Sequence, residues 1–222
     1  MGNVKEIEIK VIPASIANPF VQKHHYSGKF VMNSIVHFGA FLNNQLHGVM
    51  SFGNPIDKRN VLDFVETSNK TQNQKWNEML ELNRMAFDDF LPKNSESRSI
   101  AIAIKLIKKQ APHIKWILSF ADGTQCGDGT IYRASGFKLC GIKKNSTIVK
   151  TANGEIIAKH GTSKKDFTNA KSLDGFQFRY IYLIDKEAKI TLPIIEFNKI
   201  DELGAGMYKG EKITLKERQA TE

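Results

Sequence analysis

The chain has 222 residues, 41% hydrophobic and 25% charged, a balance that excludes a disordered or fibrous chain and suffices to bury one sizeable core. Lys and Arg number 32 against 23 Asp and Glu, a formal net charge of +9. The excess is uneven, because residues 1–100 hold 11 basic and 10 acidic residues while residues 101–222 hold 21 and 13. A basic second half points to a polyanionic partner, nucleic acid being the commonest, although a basic soluble protein without such a partner shares this composition.

Cys126 and Cys140 are too few for a disulfide framework and lack zinc-knuckle spacing, which fits a reducing, cytosolic compartment. The opening MGNVKEIEIK carries early charge and no apolar segment, and no later run approaches the roughly 18 apolar residues of a membrane span. Neither export nor a membrane is expected. Met1-Gly2 begins like a myristoylation signal, but Glu6 stands where that signal needs Ser or Thr.

In chain order, residues 4–12 alternate apolar and polar and read as a strand closed by Pro13. Residues 15–26 show helical periodicity, with Pro19 limiting the first turn. Residues 34–42 and 45–52 are apolar runs joined at Asn43-Asn44, a hairpin signal. A polar stretch, 57–76, precedes a strand over 79–87 (MLELNRMAF) and a helix over 95–110. Then come a short buried strand at 115–121, a short helix at 129–135, a strand at 137–142 and a last strand at 178–184. This order indicates an α/β domain with a mixed sheet. Between the last two strands, residues 143–175 are weakly patterned, and residues 138–171 hold eight Lys against Glu155 and Asp166 alone. This segment reads as a basic insertion or ribbon facing a partner. The tail, 209–222, reads as disordered.

The stretch NSESRSIAIAIKLIKKQAP begins with hydroxyl-rich residues, and Asn94 or Ser95 is a natural N-cap. The helix behind it is apolar at Ile100, Ala103, Ile104 and Ile107, so it packs on the sheet. Its first amides and dipole form an anion site, with Arg98 one turn in to fork a phosphate; a capped core helix has the same pattern.

GTIYRASGFKLCG, a short helix bearing Tyr132 four residues before Gly136-Phe137, resembles the closing half of the GNAT superfamily of acyl-CoA N-acyltransferases. The resemblance implies that the strand before the long helix splays from its neighbour, that pantetheine lies in the gap and that pyrophosphate rests on the helix amides. The usual Gln/Arg-x-x-Gly-x-Gly/Ala phosphate loop is replaced by KNSESRSI. KHHYSGK, ELNRMAFDDFLPKNSESRSI, SFADGTQCGDGTIYRASGFKLCG and LGAGMYKG together resemble the Mom family of phage DNA-modification proteins, a divergent GNAT branch, over roughly residues 20–210. That implies a GNAT-like acyltransferase fold, a mixed central sheet with flanking helices, in one domain over 1–208. It also implies an enzyme that adds a carbamoylmethyl (acetamido) group to adenine N6 in double-stranded DNA, protecting it from restriction. Such an enzyme works in the cytoplasm of the infected bacterial host. The oligomeric state, a homodimer included, is left open.

Within this resemblance, Ser95, Glu96, Arg98 and Ser99 bind a CoA thioester such as acetyl-CoA. Asp122, at the end of a buried strand and before a glycine-rich turn, orients or deprotonates the amine, although an Asp in ADG is also an ordinary turn former. Tyr132 protonates a leaving thiolate or holds the donor; a half-buried aromatic on a short amphipathic helix is the plainer reading. Ser97 lies in the site, or serves only the helix cap. The resemblance implies that His25-Tyr26 points into the active site and that family members use iron, giving Fe(II) on His25 and Asp122. Histidines are also favoured at a helix end by the dipole, and no HxD/E facial-triad spacing is present. Arg84 faces either the cleft or a buried acidic partner. Glu81, three residues earlier, points to the opposite face of an ideal strand and is not expected to pair with it. Lys143 and Lys144, with Lys164 and Lys165, are expected on DNA phosphates. Cys126 and Asp128 stand in the turn where the family pattern tends toward Gly-His. Two other readings remain: a conventional N-acetyltransferase, against which the altered phosphate loop counts, and a non-catalytic nucleic-acid-binding GNAT scaffold.

Overall fold

A computed structural model describes residues 4–69, 71–124, 127–145, 148–158, 169–173, 175–208 and 211–212. The first expected strand divides in two. The Ile7 amide donates to the Val4 carbonyl, so Val4–Glu6 close a 3-10 turn and only β1, Glu8–Ile12, joins the sheet. α1, Ala14–His24, starts from Pro13, whose carbonyl accepts the Ile16 and Ala17 amides, and it ends at His24 with His25 already extended. β2 (Ser34–Leu42) and β3 (Gln45–Gly53) form the expected hairpin. Asn43 and Asn44 both have positive φ (52° and 60°), the two-residue geometry whose twist matches the strands.

The polar stretch resolves into α2 (Lys58–Val61), a 3-10 turn (Leu62–Phe64), β4 (Val65–Glu66) and α3 (Gln72–Trp76). β5 (Met79–Phe87), α4 (Ser95–Gln110), β6 (Trp116–Asp122), α5 (Thr130–Ala134) and β7 (Lys138–Asn145) follow within a few residues of expectation. The basic stretch contains β8 (Ile148–Lys150), β9 (Ile156–Ala158) and β10 (Lys171–Ser172), a small antiparallel sheet ordered β10-β8-β9. β11 (Gly175–Leu183), β12 (Lys189–Ile190), α6 (Asn198–Glu202), β13 (Met207–Tyr208) and β14 (Glu211–Lys212) complete the chain. The tail expected to be disordered lies outside the described residues except for β14, which pairs with β13.

The main sheet has seven strands in the order β1-β2-β3-β5-β6-β11-β7. β1, β2, β3 and β5 pair antiparallel, and β5 pairs parallel with β6, so the fold is mixed α/β as expected. The parallel register runs from Met79↔Trp116 to Leu82↔Ser119 and stops there, where the Ser119 hydroxyl donates to the Leu82 carbonyl at 3.1 Å. β3 is buried from His47 to Gly53, so both faces of the sheet are covered there. On one face Ala17 and Val21 of α1 meet Ile12, Val49 and Ala86, with Phe20, Phe30, Phe41 and Leu46 around them. α4 buries Ile100, Ala103, Ile104 and Ile107, the stripe its periodicity announces.

The chain divides into two compact units: residues 1–119, 131–138 and 180–194 form one, and residues 120–130, 139–179 and 195–222 the other. Among the described residues no helix is long and apolar enough to cross a membrane.

In the first unit Gly53 allows a close backbone approach, because a Cβ there would lie 2.1 Å from the Asn33 carbonyl oxygen. Gly53→Ala therefore forces main chain apart, and denaturant unfolding should show a loss of about 1–3 kcal/mol.

Candidate functional site

In the first unit the site grows from an irregularity in β5. Gly53 faces Glu81 and Phe52 faces Leu82, but Ser51 faces Arg84, so Asn83 is an extra residue with no partner of its own on β3. This is a β-bulge, and it shifts the side-chain alternation by one. Ser51 and Gly53 are two apart and share a face; their partners Arg84 and Glu81 therefore share one too. The expectation that Glu81 and Arg84 point apart is overturned, since it assumed an unbroken strand. The sequence carries the signal: polar residues alternate at Glu81 and Asn83, then Arg84 follows without a gap.

The bulge also serves the arginine's hydrogen bonds. Arg84 Nη1 donates to the Asn83 carbonyl at 2.6 Å, and Nε donates to the Lys29 carbonyl at 2.8 Å. Burial works against the Arg84 charge, while Tyr26, Glu81 and Tyr132, in that order, favour it. Of the two alternatives for Arg84, the acidic neighbour is present in Glu81. Glu81 is buried, and its carboxylate accepts the Ile56 amide. Desolvation pushes its pKa up to about 7 against the opposing pull of Arg84 and that amide. Asn83 is held by the Ser34 hydroxyl, which donates to its Oδ1 at 2.9 Å.

His25 follows α1 directly. Its Nδ1 accepts the Ser27 amide at 3.2 Å and lies 2.8 Å from the Ser27 hydroxyl, so the proton of the neutral ring sits on Nε2. Burial first, and the Arg84 charge second, push its pKa down to about 4. The ring lies 4.2 Å from that of Tyr26, which is half exposed. Tyr132, on α5, is buried against Phe137 and Tyr180 with ring centroids 5.4 and 5.2 Å away. His25, Tyr26, Glu81, Arg84 and Tyr132 therefore gather around one guanidinium.

The front of α4 differs from its expected capping. Asn94 occupies the N-cap in a left-handed conformation (φ 71°) and its side chain makes no capping bond. Ser95 and Ser99 are buried and donate their hydroxyls to the Pro92 and Ser95 carbonyls, and the Ser95 amide also donates to the Pro92 carbonyl, at 3.2 Å. The Ser97 hydroxyl donates to the Asn94 carbonyl at 3.2 Å. Glu96 seats its carboxylate on its own amide, and burial pushes its pKa up. Asn94, Ser97, Arg98 and Ala101 line an open groove of about 410 Å³ with Val4, Ala134 and Ser135. Arg98 Nη2 donates to the Lys5 carbonyl at 3.5 Å, while its Nε is buried without a partner among the described residues.

In the second unit Asp122 Oδ1 accepts the Thr124 amide at 2.9 Å and the Asn145 side-chain amide at 3.5 Å. The turn is fixed by close approach. The Gly123 amide donates to the Phe176 carbonyl at 2.7 Å, and a Cβ on Gly123 would lie 2.4 Å from the Phe178 ring. Asp122 thus does form the turn that ADG suggests. Asp128 accepts the Thr130 hydroxyl at 2.9 Å; Cys126 lies outside the described residues. Lys143 and Lys144 are exposed on β7, and Lys164 and Lys165 lie outside the described residues. The expected iron site on His25 and Asp122 is not supported: among the described residues no group of three or more His, Cys, Asp or Glu is arranged to hold a metal ion. The Nδ1 of His25 and Oδ1 of Asp122 are instead engaged by neighbouring amides.

Residues 6–199 match the family model of the Mom protein family. The chain is similar to the methylcarbamoylase Mom of Escherichia phage Mu, with 40% identity over 146 residues, 64% of this chain and 56% of that protein. The match thus spans a little over half the length of that relative. Among solved structures, a Bacillus subtilis acetyltransferase in complex with CoA aligns at 14% identity and TM-score 0.49, over 80% of this chain and 99% of that one. The ribosomal-protein-S18-alanine N-acetyltransferase of Escherichia coli aligns at 12% and 0.47, over 85% and 99%. A GNAT family acetyltransferase of Elizabethkingia anophelis with acetyl-CoA bound aligns at 14% and 0.45, over 81% and 99%.

The neutral, buried His25 makes a definite contribution to pH dependence. Its folded pKa lies below its ordinary 6.5, so the unfolded chain binds a proton that the folded chain refuses, and stability falls as pH drops from 6.5 through about 4. His25→Gln removes this titration. Thermal unfolding of the variant should lose less stability across that window than the wild type does.

Proposed function

The chain belongs to the Mom protein family, and on that premise we propose that it is a transferase adding a carbamoylmethyl group to adenine N6 in double-stranded phage DNA, protecting the DNA from restriction in the host cytoplasm. The observation that carries this reading is the gathering of His25, Tyr26, Glu81 and Tyr132 around Arg84. The N6 lone pair of adenine is delocalised into the ring, so the amine reacts only if its proton is taken as the new bond forms. Glu81, with a pKa of about 7, is matched to accept that proton at a carboxylate oxygen. Arg84 holds a positive charge beside the Tyr132 phenol, where it favours negative charge developing on a leaving atom. Tyr26, half exposed beside His25, bounds the space for the base.

The groove at the α4 front suits an anionic cofactor, because the buried Arg98 Nε is a donor in want of an acceptor and Ser97 lines the same space. A CoA thioester, when bound, would supply a two-carbon unit. Transfer of its acyl carbon with loss of the thiolate gives N6-acetyladenine, whereas the carbamoylmethyl product needs N6 bonded to the methylene carbon and an amide nitrogen from an amine or amide co-reactant. The added mass tells the two apart. Arg98 and Ser97 would hold its phosphates, because the Ser95 amide already donates to the Pro92 carbonyl and the Glu96 amide to its own carboxylate. Adenine within a duplex is stacked, so the reaction requires the base to turn out of the helix, at a cost of a few kcal/mol offset by phosphate contacts.

Mass spectrometry of nucleosides from plasmid DNA of cells expressing the protein tests the proposal directly. An added acetamido mass on deoxyadenosine supports it; unmodified deoxyadenosine, with the protein folded, overturns it. Glu81→Gln should lower the modified fraction by about 100-fold or more, and the wild-type rate should rise as pH passes through about 7 and Glu81 deprotonates. Tyr132→Phe, whose ring still packs on Phe137 and Tyr180, should cost about tenfold. Asp122→Asn keeps an acceptor for the Thr124 amide, so abolished modification with DNA affinity spared would assign the role to the charge.

DNA binding is expected to be electrostatic and to draw on the basic second half. Replacing Lys143 and Lys144 by Gln should weaken binding and flatten its dependence on salt by up to about two phosphate contacts. An unchanged slope removes these residues from the interface.

A further inference from the structure

Met32 and Ile56 are the most exposed large apolar side chains among those described, at 86% and 83%. They sit on two loops clipped together. The Asn54 amide donates to the Asn33 carbonyl at 3.4 Å, and Asn33 Nδ2 donates to the Asn54 carbonyl at 2.5 Å. Lys58 Nζ donates to Asn54 Oδ1 at 2.8 Å, and Gly53 lets the two backbones approach. Each loop is also tied to a charged group of the site. Arg84 Nε donates to the Lys29 carbonyl, at the start of the loop that carries Met32, and the Glu81 carboxylate accepts the amide of Ile56 itself. The two apolar tips are therefore built onto the cluster proposed to receive the base. Basic side chains flank them: Lys29 and Arg59 are exposed and Lys58 is half-buried, while Asp57, next to Ile56 in the chain, is bonded by the Asn60 amide.

We infer that Met32 and Ile56 form a wedge that enters the base stack of duplex DNA and fills the space left by the base that turns out. The inference rests on the DNA-modification reading and deepens it. A base leaving a duplex opens a gap walled above and below by apolar ring faces and edged by phosphates. Rigidly presented apolar side chains with basic flanks complement that gap, and Met and Ile are among the residues that enter base steps in this way.

Duplexes carrying 2-aminopurine in place of one adenine, in every nearest-neighbour context, report the turned-out base by fluorescence. The wild type should raise the signal in at least one context. Met32→Ser with Ile56→Ser, both at exposed positions, should reduce the signal at saturation at least about tenfold, while Met32→Leu with Ile56→Leu keeps most of it. The ratio of duplex to single-strand modification should fall in step. The inference is overturned if the wild type gives no signal, if the Ser pair keeps it, or if duplex and single-strand modification fall equally. It is also overturned if sedimentation shows that the Ser pair dissociates a dimer, for then the tips face a second copy of the chain. Loss of signal in the Ser pair with no adduct from any variant would sustain the wedge and remove the modification reading.

Discussion

A guanidinium placed in the middle of a largely buried strand is the constraint from which the rest of the site follows. Arg84 loses hydration and must recover it from acceptors nearby. A regular β5 would spend the Asn83 carbonyl in the ladder and send Glu81 to the far face. The bulge releases the carbonyl and turns the carboxylate to the same side as the cation. The second carbonyl comes from Lys29, which fixes the chain just after α1 and with it His25 and Tyr26. Because Arg84 remains partly solvated, the pairing is worth less than the roughly 3–5 kcal/mol lost when a fully buried ion pair is broken. Its larger effect is arrangement, since one charge orders residues from α1, β5 and α5.

Much of this frame is legible in the sequence, and the misses have identifiable causes. The Asn43-Asn44 turn, the nine-residue β5 and the stripe of α4 are local patterns, so they appear where expected. The grouping of His25, Tyr26, Arg84 and Tyr132 follows the family resemblance rather than any periodicity. The side of Glu81 is not legible in this way, because alternation along one strand says nothing of an extra residue without a partner on the next. The cap of α4 failed because Asn94, though a good capping residue, takes a left-handed backbone that directs its side chain elsewhere. The iron pair rests on the resemblance alone, and among the described residues no group of three or more His, Cys, Asp or Glu is arranged to hold a metal ion.

Asp122 occupies a turn that its own carboxylate and the residue after it hold in place. Its carboxylate holds the Thr124 amide, and the absence of a side chain at Gly123 lets that turn lie against Phe176 and Phe178. Such a carboxylate has little freedom to reorient.

The self-capping of Glu96 means that the front of α4 already holds an anion of its own. The carboxylate sits where the helix dipole and free amides attract negative charge, so any incoming phosphate competes with a tethered rival at high effective concentration. The affinity of such a phosphate would be a difference between two anions. The abundant inorganic phosphate of a cell, with a single group to offer, gains little from displacing Glu96. A long ligand that reaches past the helix end to other contacts outbids it.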